Sequence, residues 1–124
     1  MEQLLLHLLG DYVTQSDWMA KNKTSRWWPA TAHGLVYSLP FFLLNISVLT
    51  WFAIFATHVL IDHFRLARYV VFAKNWINDT SLRWKDCART GYPEDRPDWL
   101  TVWLLIIADN TCHLLVNYAA IKWL

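Results

Sequence analysis

Charge is scarce in this chain of 124 residues. Asp, Glu, Lys and Arg make up 17% of it, against about a quarter in an ordinary soluble domain. The 11 basic and 10 acidic residues leave a formal charge of +1, so no basic field argues for a nucleic-acid partner. Three glycines and four prolines exclude collagen-like and low-complexity classes, and the apolar content of 56% excludes disorder. Two cysteines cannot build a disulfide framework; Cys87 and Cys112 are expected to be free thiols. There is no His-Glu-x-x-His, no glycine-rich phosphate loop and no Gly-x-Ser-x-Gly. No Ser or Cys has a convincing adjacent base. The opening residues carry Glu2 where a secretory leader has a basic region, and His7, Gly10 and Asp11 interrupt the apolar run early.

What is abundant is apolar and aromatic, with nine Trp. From Trp27 through Ile61 there is no Asp, Glu, Lys or Arg over 35 residues, whereas one membrane span needs about 20. The stretch therefore reads as two spans with a turn near Asn45, Ile46 and Ser47. Pro29 suits the first turn of the earlier helix, and Pro40 is expected to kink it. An opening and a closing apolar segment complete an all-α bundle of four transmembrane helices in one domain, 1–124. The spans are expected at about 3–20, 29–45, 48–67 and 98–122, with a cytoplasmic loop over about 68–97. The third helix is expected to run on past Arg65 and Arg68, whose side chains would reach toward lipid head groups.

Loop charge orients the bundle. Ten of the eleven basic residues, Lys21, Lys23, Arg26, Arg65, Arg68, Lys74, Arg83, Lys85, Arg89 and Arg96, fall in the first and third loops, leaving Lys122 elsewhere. The positive-inside rule makes that side cytoplasmic, in an inner or plasma membrane, with both termini outside. Several Trp lie near the same boundary, as an interfacial belt would. The rival is a soluble four-helix bundle, which has to explain both the uncharged stretch and the one-sided charge.

Polar residues interrupt these apolar helices at helical spacing. His7, Asp11 and Gln15 align at i, i+4 and i+8; His58 and Asp62, Asp109 and His113, and His33 and Tyr37 repeat the i, i+4 device. At 1.5 Å per residue, Asp11, His58 and Asp109 lie roughly 14–16 Å from the cytoplasmic ends of their helices. His7 and His113 sit about a turn deeper, Asp62 and Gln15 about a turn shallower. The three His/Asp pairs are thus expected to meet in one polar layer near the midplane. His7, Asp11, His58, Asp62, Asp109 and His113 are candidate ligands of a divalent metal, zinc favoured and manganese or iron compatible. Gln15 and His33 are expected to support them or line the mouth of the site. His63 points about 100° away from Asp62 and reads as interfacial.

Three functional classes follow. In the first, the layer binds metal, and the metal activates water in an intramembrane hydrolase. In the second, the protein is a non-enzymatic phage or bacterial membrane protein with a structural or membrane-remodelling role, alone or as a homo-oligomer, and the layer is a hydrogen-bonded network. In the third, it conducts protons or ions.

The segments HLLGDYVTQSDWMAKNK, HVLIDHFRLARY and IADNTCHLLVNY resemble the family catalogued as domain of unknown function 3307, small polytopic bacterial and phage membrane proteins. The likeness covers nearly the whole chain, and RTGYPEDRPDWLTVWLLIIADN is similar to its phage-associated branch. Many relatives have Gln where this chain has Asn110. The resemblance implies the fold class and marks His7, Asp11, Gln15, His33, His58, Asp62, Asp109 and His113 as the family's polar signature; it carries over no activity.

Overall fold

A computed structural model describes all residues from Met1 to Leu124. The chain is all-α, with six α-helices and no strand: α1 (Glu2–Leu8), α2 (Asp17–Asn22), α3 (Trp27–Ser38), α4 (Val48–Phe64), α5 (Ala67–Asn78) and α6 (Asp98–Trp123). It forms two compact units, one of Met1–Phe64 with His113–Leu124 and one of Arg65–Cys112.

In the first unit the opening segment is not one helix through residue 20. α1 passes into a π-helical turn over Leu9–Val13, and Ser16 then caps α2 by accepting from the Met19 N–H at 3.3 Å. Such wide turns inside helices accompany functional sites, and this one carries Asp11. Pro40 does more than kink α3. The α-helix ends at Ser38 and the chain tightens into a 3-10 helix over Leu39–Leu44, because proline has no N–H for the i−4 carbonyl. In the turn that follows, Asn45 is left-handed at φ 53°. Ser47 then receives the Thr50 N–H at 3.0 Å and opens α4. Gly34 brings α3 and α4 close: a Cβ there would overlap Val59 Cγ2.

The second unit begins where α4 stops. Arg65 is left-handed at φ 52°, which ends the helix where the sequence pattern suggested continuation. A new helix, α5, occupies the start of the segment read as loop. It buries Ala67 and Val71 and leaves Tyr69, Val70, Trp76 and Ile77 exposed. The chain beyond it is ordered by polar contacts to α5: Arg68 Nη1 donates to the Ala88 carbonyl at 3.0 Å, and Asn75 Nδ2 to the Gly91 carbonyl at 2.9 Å. Gly91, at φ +85°, lies so close to α5 that a Cβ would fall 2.8 Å from Phe72 N. Trp84 stacks on Tyr69 with ring centroids 4.6 Å apart. Both cysteines are free. Cys87 is buried, and burial with Asp86, Glu94 and Asp95 nearby pushes its thiol up, so it stays protonated and unreactive.

Polar side chains share the interior with apolar ones, and many large apolar side chains lie outside. Buried polar side chains include all four histidines other than His63, together with Asp11, Asp62, Thr50 and Asn117. Large apolar side chains such as Leu43, Val48, Ile77 and Trp103 are more than 60% exposed. The purely apolar core of the first unit is small, built on Tyr37, Phe41, Ile54 and Ala120, with Leu44 and Ile46 of the α3–α4 turn packed against it. One helix, α6, is by itself long and apolar enough to cross a membrane; α4 is apolar but shorter.

Candidate metal centre

Three segments of the first unit send polar side chains to one point. The π-helical turn supplies Asp11, α3 supplies His33, and α4 supplies His58 and Asp62, one helical turn apart. All four side chains are buried. His33 Nε2 lies 3.0 Å from His58 Nε2, 3.1 Å from Asp11 Oδ1 and 3.2 Å from Asp62 Oδ2. His58 Nε2 lies 3.5 Å from Asp11 Oδ1 and 3.2 Å from Asp62 Oδ2. One ligand atom from each residue thus belongs to a single set within 4.8 Å.

That set fits a metal on its own geometry. Ligand atoms on tetrahedral bonds of about 2.0 Å stand about 3.3 Å apart, which is the spacing zinc imposes on imidazole and carboxylate donors. Five of the six separations run from 3.0 to 3.5 Å, and all six lie within 4.8 Å. The two imidazoles can share one proton between their Nε2 atoms at 3.0 Å, while the two carboxylates in a dry interior carry a desolvation cost of several kcal/mol each unless cations balance them. The buried His/Asp group is therefore positioned to hold a metal ion; its donors suit zinc, and manganese or iron with added oxygen ligands.

Around this centre each carboxylate turns its second oxygen to another histidine. Asp11 Oδ2 lies 3.6 Å from His7 Nδ1, and Asp62 Oδ1 lies 3.4 Å from His113 Nε2. Asn117 Nδ2 donates to the Tyr37 hydroxyl at 2.6 Å, and His7 Nδ1 lies 2.9 Å from the same hydroxyl. The Tyr37 ring stacks on His58 with centroids 3.6 Å apart, and the His113 ring lies 4.2 Å from His58 on its own centroid measure. Stacking thus fixes the His58 ring, whose buried Nδ1 has no hydrogen-bond partner; His33 Nδ1 is in the same position.

The expected residues divide accordingly. Asp11, His58 and Asp62 lie in the central set, and His7 and His113 lie against the outer carboxylate oxygens. His33, expected at the mouth, contributes Nε2 to the centre. Gln15 leaves the line of His7 and Asp11 because the π turn intervenes; its Nε2 donates to the Asp11 carbonyl at 3.0 Å. Asp109, half-buried on α6 one turn before His113, belongs to the second unit.

One site residue had no signal in the sequence beyond its charge. Lys23, in the turn after α2, places Nζ 2.7 Å from Asp62 Oδ2 with the lysine side chain 17% exposed. Its backbone is held too: His63 Nδ1 donates to the Lys23 carbonyl at 2.9 Å, and Trp27 stacks on the His63 ring at 3.9 Å.

No curated protein and no solved structure matches the chain. Residues 1–121 match the family described as protein of unknown function DUF3307. With all but the last three residues inside that match, the chain belongs to the DUF3307 family.

Proposed function

We propose that this protein is a membrane-embedded metal-binding protein that holds one divalent cation, zinc favoured, on Asp11, His33, His58 and Asp62. The observation that carries the reading is the convergence of four buried donor atoms within 4.8 Å of one another, five of their six separations lying between 3.0 and 3.5 Å. A bound dication would cancel the two carboxylate charges where water cannot.

The membrane part of the proposal draws on the exposed apolar side chains, the length of α6 and the one-sided basic loops. Helical rise gives about 39 Å for α6, about 26 Å for α4 and about 30 Å for α3 with its 3-10 extension. The hydrocarbon core is about 30 Å thick. Residues 2–13 reach only about 18 Å, so a first pass takes in α2 as well, which packs along α3. The two basic loops then lie in the cytoplasm and both termini outside.

Four protein donors would fill a four-coordinate shell, the pattern of a site that holds its ion; hydrolytic zinc keeps three and an open position for water. Metal retention is accordingly favoured over intramembrane hydrolysis. Conduction is disfavoured, because the side chains of Phe41, Ile54 and Ala120 pack around Tyr37, where the network reaches Asn117. The purified full-length protein, dialysed against zinc and washed, is expected to retain one zinc per chain. Asp11→Asn and Asp62→Asn are expected to retain none. A folded parent that binds no divalent metal at neutral pH would leave only a structural network.

A further inference from the structure

We infer that Lys23 is a tethered cation that competes with metal for Asp62, making the centre an exchangeable site. The inference rests on the metal-binding reading above and concerns what the chain places against that site.

The oxygen in contention is Asp62 Oδ2. It is a corner of the four-atom donor set, 3.2 Å from both His33 Nε2 and His58 Nε2, and it accepts the Lys23 ammonium at 2.7 Å. A dication on a bond of about 2.0 Å to that oxygen would stand no more than about 4.7 Å from Nζ. Asp62 is buried, so little water screens the two positive charges from each other. The other Asp62 oxygen faces His113 Nε2 at 3.4 Å. Lys23 therefore leaves when the metal enters, and it has somewhere to go: its side chain is partly exposed, with a flexible four-carbon stem that reaches water.

The tether is as specific as the contact. The Lys23 carbonyl is fixed to His63, the residue after Asp62, and His63 is clamped under Trp27. The backbone of Lys23 is thus anchored to α4 beside the site while its side chain swings. Without metal the ammonium balances one of the two buried carboxylates; with metal it is released. Each exchange of the ion is matched by a movement of Lys23, which weakens metal binding and keeps it reversible.

The test is a zinc competition titration against a chromophoric chelator on the full-length protein in detergent, comparing the parent with Lys23→Met and Lys23→Arg. Lys23→Met is expected to bind zinc roughly tenfold or more tightly than the parent, and Lys23→Arg, which keeps the charge, close to the parent. Lys23→Gln, neutral but able to donate to Asp62, carries the same expectation if the methionine variant does not fold. In the parent, zinc is also expected to raise the rate at which an amine acylating reagent modifies Lys23, read by peptide mass. Neutral variants that bind zinc no more tightly than the parent, or a Lys23 whose reactivity zinc leaves unchanged, would overturn the inference. Absence of zinc binding in the parent and every variant would instead overturn the metal-binding reading, and this inference with it.

Discussion

Asp62 gathers four partners on one carboxylate. One oxygen faces two imidazole nitrogens and an ammonium, the other faces His113. Replacing it by Asn removes the charge that all of them share, so zinc binding is expected to be lost. His7 and His113 act on the outer carboxylate oxygens. Their replacement by Phe is expected to leave one zinc per chain while weakening affinity about 10–100-fold, the usual cost of losing an orienting neighbour; unchanged affinity in both would remove them from the site. Tyr37→Phe separates stacking from hydrogen bonding. The ring still covers His58, but His7 Nδ1 and Asn117 Nδ2 lose the hydroxyl, at an expected cost of about 1–3 kcal/mol in chemical unfolding. The i, i+4 pairs were legible as residues because an apolar helix has no other use for a His and an Asp on one stripe. Lys23 was not, since a lysine in a basic loop looks the same whether it faces water or reaches back to a buried carboxylate.

At the scale of elements, the site depends on how closely α3 approaches α4. His33 and His58 meet at 3.0 Å only because Gly34 leaves room for Val59. Gly34→Val is expected to destabilise by about 1–3 kcal/mol through overpacking and to lower zinc affinity by pushing the two imidazoles apart. In the second unit, Gly91→Ala meets both a positive φ and the backbone of α5. Its expected cost of at least about 1 kcal/mol falls on the loop–helix contact, read as faster amide exchange in α5 and the 84–91 segment with zinc binding retained. The same scale explains where sequence reasoning stopped. Counting depth along straight helices placed His33 near the mouth, because the count carries no information on how α3 and α4 are offset. Three interruptions follow from local backbone chemistry that hydropathy does not register: the π turn at Leu9–Val13, the 3-10 segment after Ser38 and the left-handed Arg65. The first of them also explains Gln15, which keeps its place on the stripe only in an unbroken α-helix. The turn at Asn45 was visible because a short polar triplet stood alone in an uncharged run.

For the molecule as a whole, metal and fold are linked. A ligand held by the native state alone at a hundred times its Kd adds about 2.7 kcal/mol, so chelation is expected to lower the thermal midpoint of the parent and leave that of Asp11→Asn unchanged. The histidines and aspartates inside and Leu43, Val48 and Trp103 outside support the proposed bilayer location. The protein is expected to stay with membranes through an alkaline carbonate wash, and release into the supernatant would contradict that location. The central claim is the four-donor centre itself, and zinc K-edge X-ray absorption on the zinc-loaded, full-length protein addresses it directly. The account predicts four nitrogen or oxygen neighbours at about 2.0 Å, with the outer-shell scattering of two imidazoles. A six-coordinate shell of oxygen without imidazole scattering would contradict it.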